Sequence, residues 1–318
     1  MIRSSSAQSE LHKSRQDSYE ATLSRRVSLV DESTGLIREE LVEYRSCPAC
    51  DSNETKNLFV KNGGTYHRCI QCGTIFLNPV LKDAHLANHY RTNGTYQTQD
   101  HLQDNQFYQA IYSHGLDLLL KHCPEGKLLD VGCSSGTFLK LAASKGFEVM
   151  GLEINSEEAA EARSRGLRVQ ELDLLSLEDS GKFHVICFWD VFEHLKFPHQ
   201  ILGAVSSLLF EDGLMLLQIP SADSLSARVL REHCNMFDGL EHVALYTHQS
   251  ISQCLEKNDF EILEVVDVID DTAALENFLN YEDPYGGSFT GSLSDVFSAD
   301  FILGNDFGYK MQIVARKH

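Results

Sequence analysis

Basic residues are scarce. Against 46 Asp and Glu stand 27 Lys and Arg, a formal charge of −19 over 318 residues. Such a field repels duplex DNA and structured RNA, so nucleic acid is not an expected partner. The shortage is sharpest between Lys257 and Lys310, where twelve acids occur and no Lys or Arg. That stretch reads as a solvated acidic face. Long apolar runs are missing too, so no segment is expected to span a bilayer. The first thirty residues are Ser- and Arg-rich, carry Glu10, Asp17 and Glu20, and hold no apolar signal core. The expectation is a cytoplasmic chain with a loose N-terminal arm. The dinucleotide fingerprint G-x-G-x-x-G is also absent, which counts against a nicotinamide dehydrogenase. Nothing in the sequence fixes an oligomeric state.

What is present suffices for one α/β domain and a smaller unit, with 42% apolar residues to build a core. Four of the nine cysteines form two pairs, Cys47-Pro48-Ala49-Cys50 and Cys69-Ile70-Gln71-Cys72, eighteen residues apart. This is the spacing of a four-thiolate zinc ribbon. Two disulfides or reduced core cysteines are the alternatives, and a reducing compartment disfavours the first. Strands over 56–60 and 65–68, split by Asn62-Gly63-Gly64, would form the ribbon hairpin. So small a unit needs a metal for stability, and a site with four thiolates is closed to water activation. The expected organisation is an arm over 1–43 with a short helix at 33–44, then the ribbon over 44–80. A connector over 81–106 follows, and then a large domain over 107–318 with an insertion at 270–308.

The large domain is organised around Leu128-Leu129-Asp130-Val131-Gly132-Cys133-Ser134-Ser135-Gly136-Thr137-Phe138-Leu139. The pattern predicts a strand, a tight glycine turn and a helix start, with main-chain N–H groups aimed at a ligand over the strand's end. Ser134 or Ser135 would cap the helix through a hydroxyl. Further strands are predicted at 147–153, 167–170, 183–189, 213–220, 261–268 and 309–317. Helices are predicted at 107–123, 137–145, 157–165 and 246–257, with another starting at Asp190. Alternating strands and helices imply a parallel sheet covered on both faces. Glu153 ends the second strand, where a carboxylate can accept the ribose hydroxyls of a nucleoside, or simply sit at a helix start.

The D-x-G-x-x-x-G loop resembles motif I of class I S-adenosylmethionine-dependent methyltransferases, and the likeness extends over about 105–318. The nearest subgroup includes ubiquinone-pathway O-methyltransferases and methylases of surface-sugar and secondary-metabolite clusters, some with an N-terminal zinc ribbon. The resemblance implies a Rossmann-like, seven-stranded, mostly parallel sheet with an antiparallel last strand. It implies S-adenosylmethionine held by Asp130, Gly132, Cys133, Ser134, Gly136, Glu153 and Ile154, with Asp173 and Leu174 at the adenine and Trp189 beside the site. Asp190-Val191-Phe192-Glu193-His194 corresponds to the E-x-x-E-H that relatives use for a divalent metal, with His242 near a further ligand position. That leaves three roles for Asp190, Glu193 and His194: metal ligands, a general base at His194, or pocket walls. The leading functional expectation is methylation of a small molecule such as a sugar nucleotide or a quinol. An RNA or protein methyltransferase with a docking ribbon, and a non-catalytic cofactor-binding module, are the alternatives.

Overall fold

Successive residues of the central strands point to opposite faces, so each strand feeds two cores at once. Leu128, Val185, Cys187, Leu214 and Leu216 enter one core, while Leu129, Ile186, Phe188, Met215 and Leu217 enter the other. Strands buried on both faces read as continuous apolar runs, which is how Val185–Trp189 and Leu214–Ile219 look in sequence.

The computed structural model describes residues 27–86, 106–178, 181–272, 275 and 297–318. In chain order the elements are β1 (Val42–Glu43), β2 (Thr55–Lys61), β3 (Gly64–Cys69), β4 (Ile75–Leu77), β5 (Val80–Leu81), α1 (Gln106–Leu120), β6 (Gly126–Val131) and α2 (Thr137–Ser144). There follow β7 (Phe147–Leu152), α3 (Ser156–Ser164), β8 (Val169–Gln170), β9 (Phe183–Trp189), α4 (Pro198–Leu208) and β10 (Leu209–Pro220). The last are α5 (Leu225–Leu230), β11 (Ala244–Leu245), α6 (His248–Glu256), β12 (Phe260–Val268), α7 (Ala299–Gly304) and β13 (Lys310–Lys317).

Seven strands form one sheet in the order β12-β13-β10-β9-β6-β7-β8. Strand β13 runs antiparallel to both neighbours, and the β10–β9–β6–β7–β8 pairings are parallel. The expected mostly parallel sheet with an antiparallel last strand is therefore present. Helices α1, α2 and α3 pack on one face, and α4 and α6 on the other.

A second sheet of four strands, β11-β4-β3-β2, carries the two Cys pairs beside it. The hairpin β2–β3 is as expected. The fourth strand is not: β11 comes from the large domain and pairs with β4 through Phe76↔Ala244 and Ile75↔Leu245.

Several local expectations are corrected. The helix expected at 33–44 is replaced by a Val30–Ile37 bridge, a 3-10 turn at Glu39–Leu41 and strand β1. The helix expected from Asp190 is a single 3-10 turn, Phe192–His194, and the α-helix starts only at Pro198. Asp190 takes a left-handed φ of 55° and its N–H donates to the Gln218 carbonyl, so it extends the sheet ladder instead of opening a helix. The N-cap of α2 is Gly136, at φ 83°, with no side-chain cap, and the Ser135 hydroxyl is buried without a hydrogen-bond partner. Strand β8 is only two residues long. Most of the arm (1–26), most of the connector (87–105) and the middle of the insertion (276–296) lie outside the described residues.

Candidate functional site

The glycine loop after β6 folds back on β7. Gly132 and Cys133 both donate N–H to the Leu152 carbonyl, at 2.8 and 3.0 Å. Gly132 has φ 74°, and a Cβ there would lie 2.6 Å from Val191 Cγ2, so both backbone shape and packing require glycine. The Glu153 carboxylate closes the loop from the other side. Its Oε2 accepts from Ser134 N–H at 2.9 Å and its Oε1 from Asn155 N–H at 2.8 Å. Burial pushes the Glu153 pKa up, while the Asn155 and Ser134 amides pull the other way.

Asp130 sits beneath the loop, 1% exposed, with Oδ1 buried and without a hydrogen-bond partner. Burial first, then the Glu153 charge, raise its pKa well above the usual carboxylate range. Ser135 Oγ and Trp189 Nε1 are buried and unpartnered as well. Buried polar atoms are normally paired, so the orphaned Asp130 and Ser135 oxygens fit a polar ligand that belongs at the loop. Cys133 is buried, and burial drives its thiol pKa up, which suits a packing residue rather than a nucleophile. Trp189 stacks edge-on with Tyr112 at 4.8 Å and lies 4.7 Å from Phe138. Ile154 is exposed and Leu174 buried. Asp173 caps the Leu174–Ser176 turn, accepting from Ser176 N–H at 3.0 Å and from its hydroxyl at 3.1 Å.

A second constellation lies past β9. Ligating atoms of Glu193, His194 and His242 all fall within 4.8 Å of one another. Glu193 is 1% exposed and neither carboxylate oxygen has a hydrogen-bond partner. Each imidazole is pinned from behind by a main-chain carbonyl: His194 Nδ1 to Glu241 O at 2.9 Å, and His242 Nδ1 to Met236 O at 2.7 Å. A carbonyl cannot donate, so Nδ1 carries the proton in both rings, and in the neutral form the lone pair is left on Nε2. Burial, then the Asp190 charge, lift Glu193 to about 8. Burial, then His242, depress His194 to about 4. His242 is raised: burial opposes its charge, but Asp238 and Glu193 outweigh it.

Of the four residues expected together, Asp190 stands outside this cluster. It pairs with Lys310 Nζ and accepts from Gln218 Nε2 at 3.2 Å, while its Oδ1 is buried without a partner. Gln218 continues to Gln312 Nε2 at 2.9 Å, and Gln312 Oε1 to His114 Nδ1 at 2.7 Å. This polar line under α1 has no sequence signal, because its members come from four separate elements. The tight cysteine cluster is assembled as expected, with Cys47 Sγ–Cys72 Sγ and Cys50 Sγ–Cys69 Sγ both 3.6 Å apart. That is far beyond the roughly 2.05 Å of a disulfide, and near the edge of about 3.8 Å of a tetrahedron with bonds of about 2.3 Å.

Sequence reasoning missed a third cluster. His248 lies between Asp267, at 2.8 Å from Nε2, and Asp223, at 3.4 Å from Nδ1, with Asp306 at 3.9 Å. Burial opposes its charge, but the Asp223 and Asp267 hydrogen bonds prevail and lift it to about 10. It ties α6 to the ends of β10 and β12. Because the folded pKa lies above the ordinary 6.5, this stability is complete below about pH 6.5 and is lost as pH rises through about 10. After a discount for partial exposure, His248→Gln is expected to cost about 1–2 kcal/mol at pH 7. Urea melts should show the gap narrowing toward pH 10; a constant gap would remove the ion-pair explanation.

The methyltransferase domain family matches residues 103–265, just over half of the chain. The ubiquinone biosynthesis O-methyltransferase of Glaesserella parasuis is 30% identical over 103 residues, covering 29% of this chain and 44% of the relative. The enzyme of the same name from Xanthomonas campestris is 30% identical over 102 residues, covering 30% and 43%. The match therefore spans less than half the length of these relatives. Among solved structures, magnesium protoporphyrin IX methyltransferase from Synechocystis PCC 6803 with bound SAH aligns with a TM-score of 0.50 at 17% identity, over 74% of this chain and 100% of that one. The match over more than half of the sequence establishes that the chain belongs to the methyltransferase domain family, and the structural alignment shows a shared fold.

Proposed function

We propose that the chain transfers a methyl group from S-adenosylmethionine to a hydroxyl of a small molecule. The observation that carries this reading is the pairing of two half-sites at the carboxyl ends of adjacent strands. One is the glycine loop with Glu153 at β6 and β7; the other is the Glu193–His194–His242 cluster beyond β9. Bound S-adenosylmethionine supplies an electrophilic methyl carbon. Glu153 would hold the ribose, the loop amides the amino-acid end, and Asp173 and Leu174 the adenine. Glu193, His194 and His242 would hold a divalent cation, which supplies Lewis acidity to the acceptor oxygen. The donor set fits: an orphaned carboxylate and two imidazoles fixed by outer carbonyls are what such an ion needs. A general base at His194 is less well matched, because a pKa near 4 lies far below neutrality. Cys47, Cys50, Cys69 and Cys72 would hold a structural zinc.

The charge of −19 favours a small acceptor over a nucleic acid. Among the ribbon's Lys56, Lys61 and Arg68, Lys61 donates to the Glu232 carbonyl at 2.5 Å. Lys56 and Arg68 share a cleft of about 360 Å³ with Asp223, too few cations for a phosphate backbone. Glu153→Ala is expected to weaken S-adenosylhomocysteine binding by about 10- to 100-fold, the worth of a charge-assisted hydrogen-bonded pair. Calorimetry measures it, with NAD as the ligand that should give no heat; unchanged affinity would reject the ribose assignment. The substrate class is tested by methyl transfer from labelled cofactor into a metabolite extract. Label found only in RNA or protein would favour a macromolecular acceptor.

A further inference from the structure

The loop that carries His242 is hydrogen-bonded to and packed against the four-cysteine ribbon, far upstream in the sequence. We propose that Tyr66 is a positioning residue for His242, and that the ribbon serves as one wall of the methyl-acceptor site. Tyr66 lies on β3, fully buried. Its hydroxyl donates to the His242 carbonyl, 176 positions away, at 3.1 Å and accepts from Gly239 N–H at 3.2 Å. One oxygen therefore fixes both ends of the turn in which Asp238 accepts from the Leu240, Glu241 and His242 amides.

The neighbouring contacts have the same direction. Leu77 N–H and Arg45 Nη2 both donate to the Val243 carbonyl, at 3.1 and 2.5 Å. Asn62 Nδ2 donates to the Asp238 carbonyl at 3.1 Å. The Phe237 ring packs against Phe59 at 5.0 Å and Tyr66 at 5.1 Å. A Cβ on Gly64 would lie 2.1 Å from Gly239 O, so the two backbones touch with no side chain between them. Ribbon and loop thus share one apolar core, built from Tyr66, Leu77, Phe237, Leu240 and Val243 among others. The His242 ring hangs from this frame, with its Nδ1 held by Met236. A carbonyl, an amide and a ring nitrogen fixed at three points set where Nε2 stands relative to Glu193 and His194.

This inference rests on the reading of Glu193, His194 and His242 as the acceptor-side site. The test uses the full chain with Tyr66→Phe, which keeps the ring and removes only the hydroxyl. Hydrogen exchange should accelerate tenfold or more in 236–245 and stay unchanged in β6, β7 and β9. Mn²⁺ affinity, read by electron paramagnetic resonance, should fall at least tenfold, while S-adenosylhomocysteine affinity stays within twofold. Unchanged exchange and unchanged Mn²⁺ affinity overturn the proposal, as does an equal loss of both ligands. If the wild-type chain binds no Mn²⁺, the cation reading fails, and exchange in 236–245 alone decides the positioning. Should Tyr66→Phe not fold, Asn62→Ala, which removes a contact at the edge of the same turn, is judged by the same readouts.

Discussion

Replacing Glu193 with Gln is expected to reduce methyl transfer about a thousandfold while making the metal-free fold more stable. The two effects have one cause. The Glu193 carboxylate is buried, both oxygens lack hydrogen-bond partners, and its pKa rises from 4.5 to about 8. Between those values the folded state holds a proton that the unfolded state has released. Stability therefore falls as pH rises from about 4.5 to 8, and it stays low above that. A glutamine is never charged and escapes the penalty. A shift of this size has a ceiling of about 5 kcal/mol. The attraction of His242, which glutamine forgoes, lowers the expected gain at pH 8 to about 2 kcal/mol, or several degrees in melting temperature. At pH 5 the gain should vanish. Mn²⁺ should raise the wild-type melting temperature at pH 8 and leave the variant unmoved. A variant less stable than wild type at pH 8, or one that retains activity, would contradict the role given to Glu193. The position illustrates the ordinary trade between stability and function.

The features legible in the sequence are those whose meaning is local. The Asp130–Gly136 loop, the acid at Glu153, the two C-x-x-C knuckles and the runs that become β6, β7, β9 and β10 each carry their own spacing or periodicity. Their alternation with helices implied a parallel sheet covered on both faces. Strand β11 could not be read this way. Ala244 and Leu245 are two residues without a pattern, and they are a strand only because β4 lies alongside. The same holds for the line from Asp190 through Gln218 and Gln312 to His114, which crosses four elements.

The turn at 190–195 shows how a motif read from its spacing can come with a different local structure. Asp190, Glu193 and His194 have the spacing of one helical face, and a helix would have brought all three together. The chain instead turns at Asp190 with a left-handed φ, and only Phe192–His194 close a 3-10 turn. Lys310, the first base after a long acidic stretch, draws Asp190 to its own side. The third member of the cluster is His242, from a loop with no regular structure of its own. Its position depends on Tyr66, Leu77 and Arg45, and no pattern within 232–243 reveals that.

Removing the zinc proposed at Cys47, Cys50, Cys69 and Cys72 should therefore disable the acceptor side and spare the cofactor side. A structural zinc contributes about 10–16 kcal/mol of apparent binding free energy in isolated zinc-finger peptides, far more than a hairpin of this size could supply by burial. Here Cys47, Cys69, Cys72 and Phe76 also share a core with Tyr246, Ile251 and Leu255, so loss of the metal should loosen the part of that core beneath α6. Cys69→Ser, or chelation of the wild-type chain, is expected to lower the melting temperature by more than about 10 °C, on the scale of several kcal/mol for a chain this long. With β3 and β4 released, Tyr66 and Leu77 no longer hold 239–243, and Mn²⁺ binding and methyl transfer should be lost together. The glycine loop is held by β7 through Leu152 and Glu153, so S-adenosylhomocysteine affinity below the melting temperature should stay within about threefold. A ribbon that served only to dock a macromolecule would give the opposite result: Mn²⁺ binding intact after its metal is gone. Zinc content, melting curves and the two binding isotherms on one preparation decide between them, and protein purified without zinc yet melting as a native chain would end the structural-metal account.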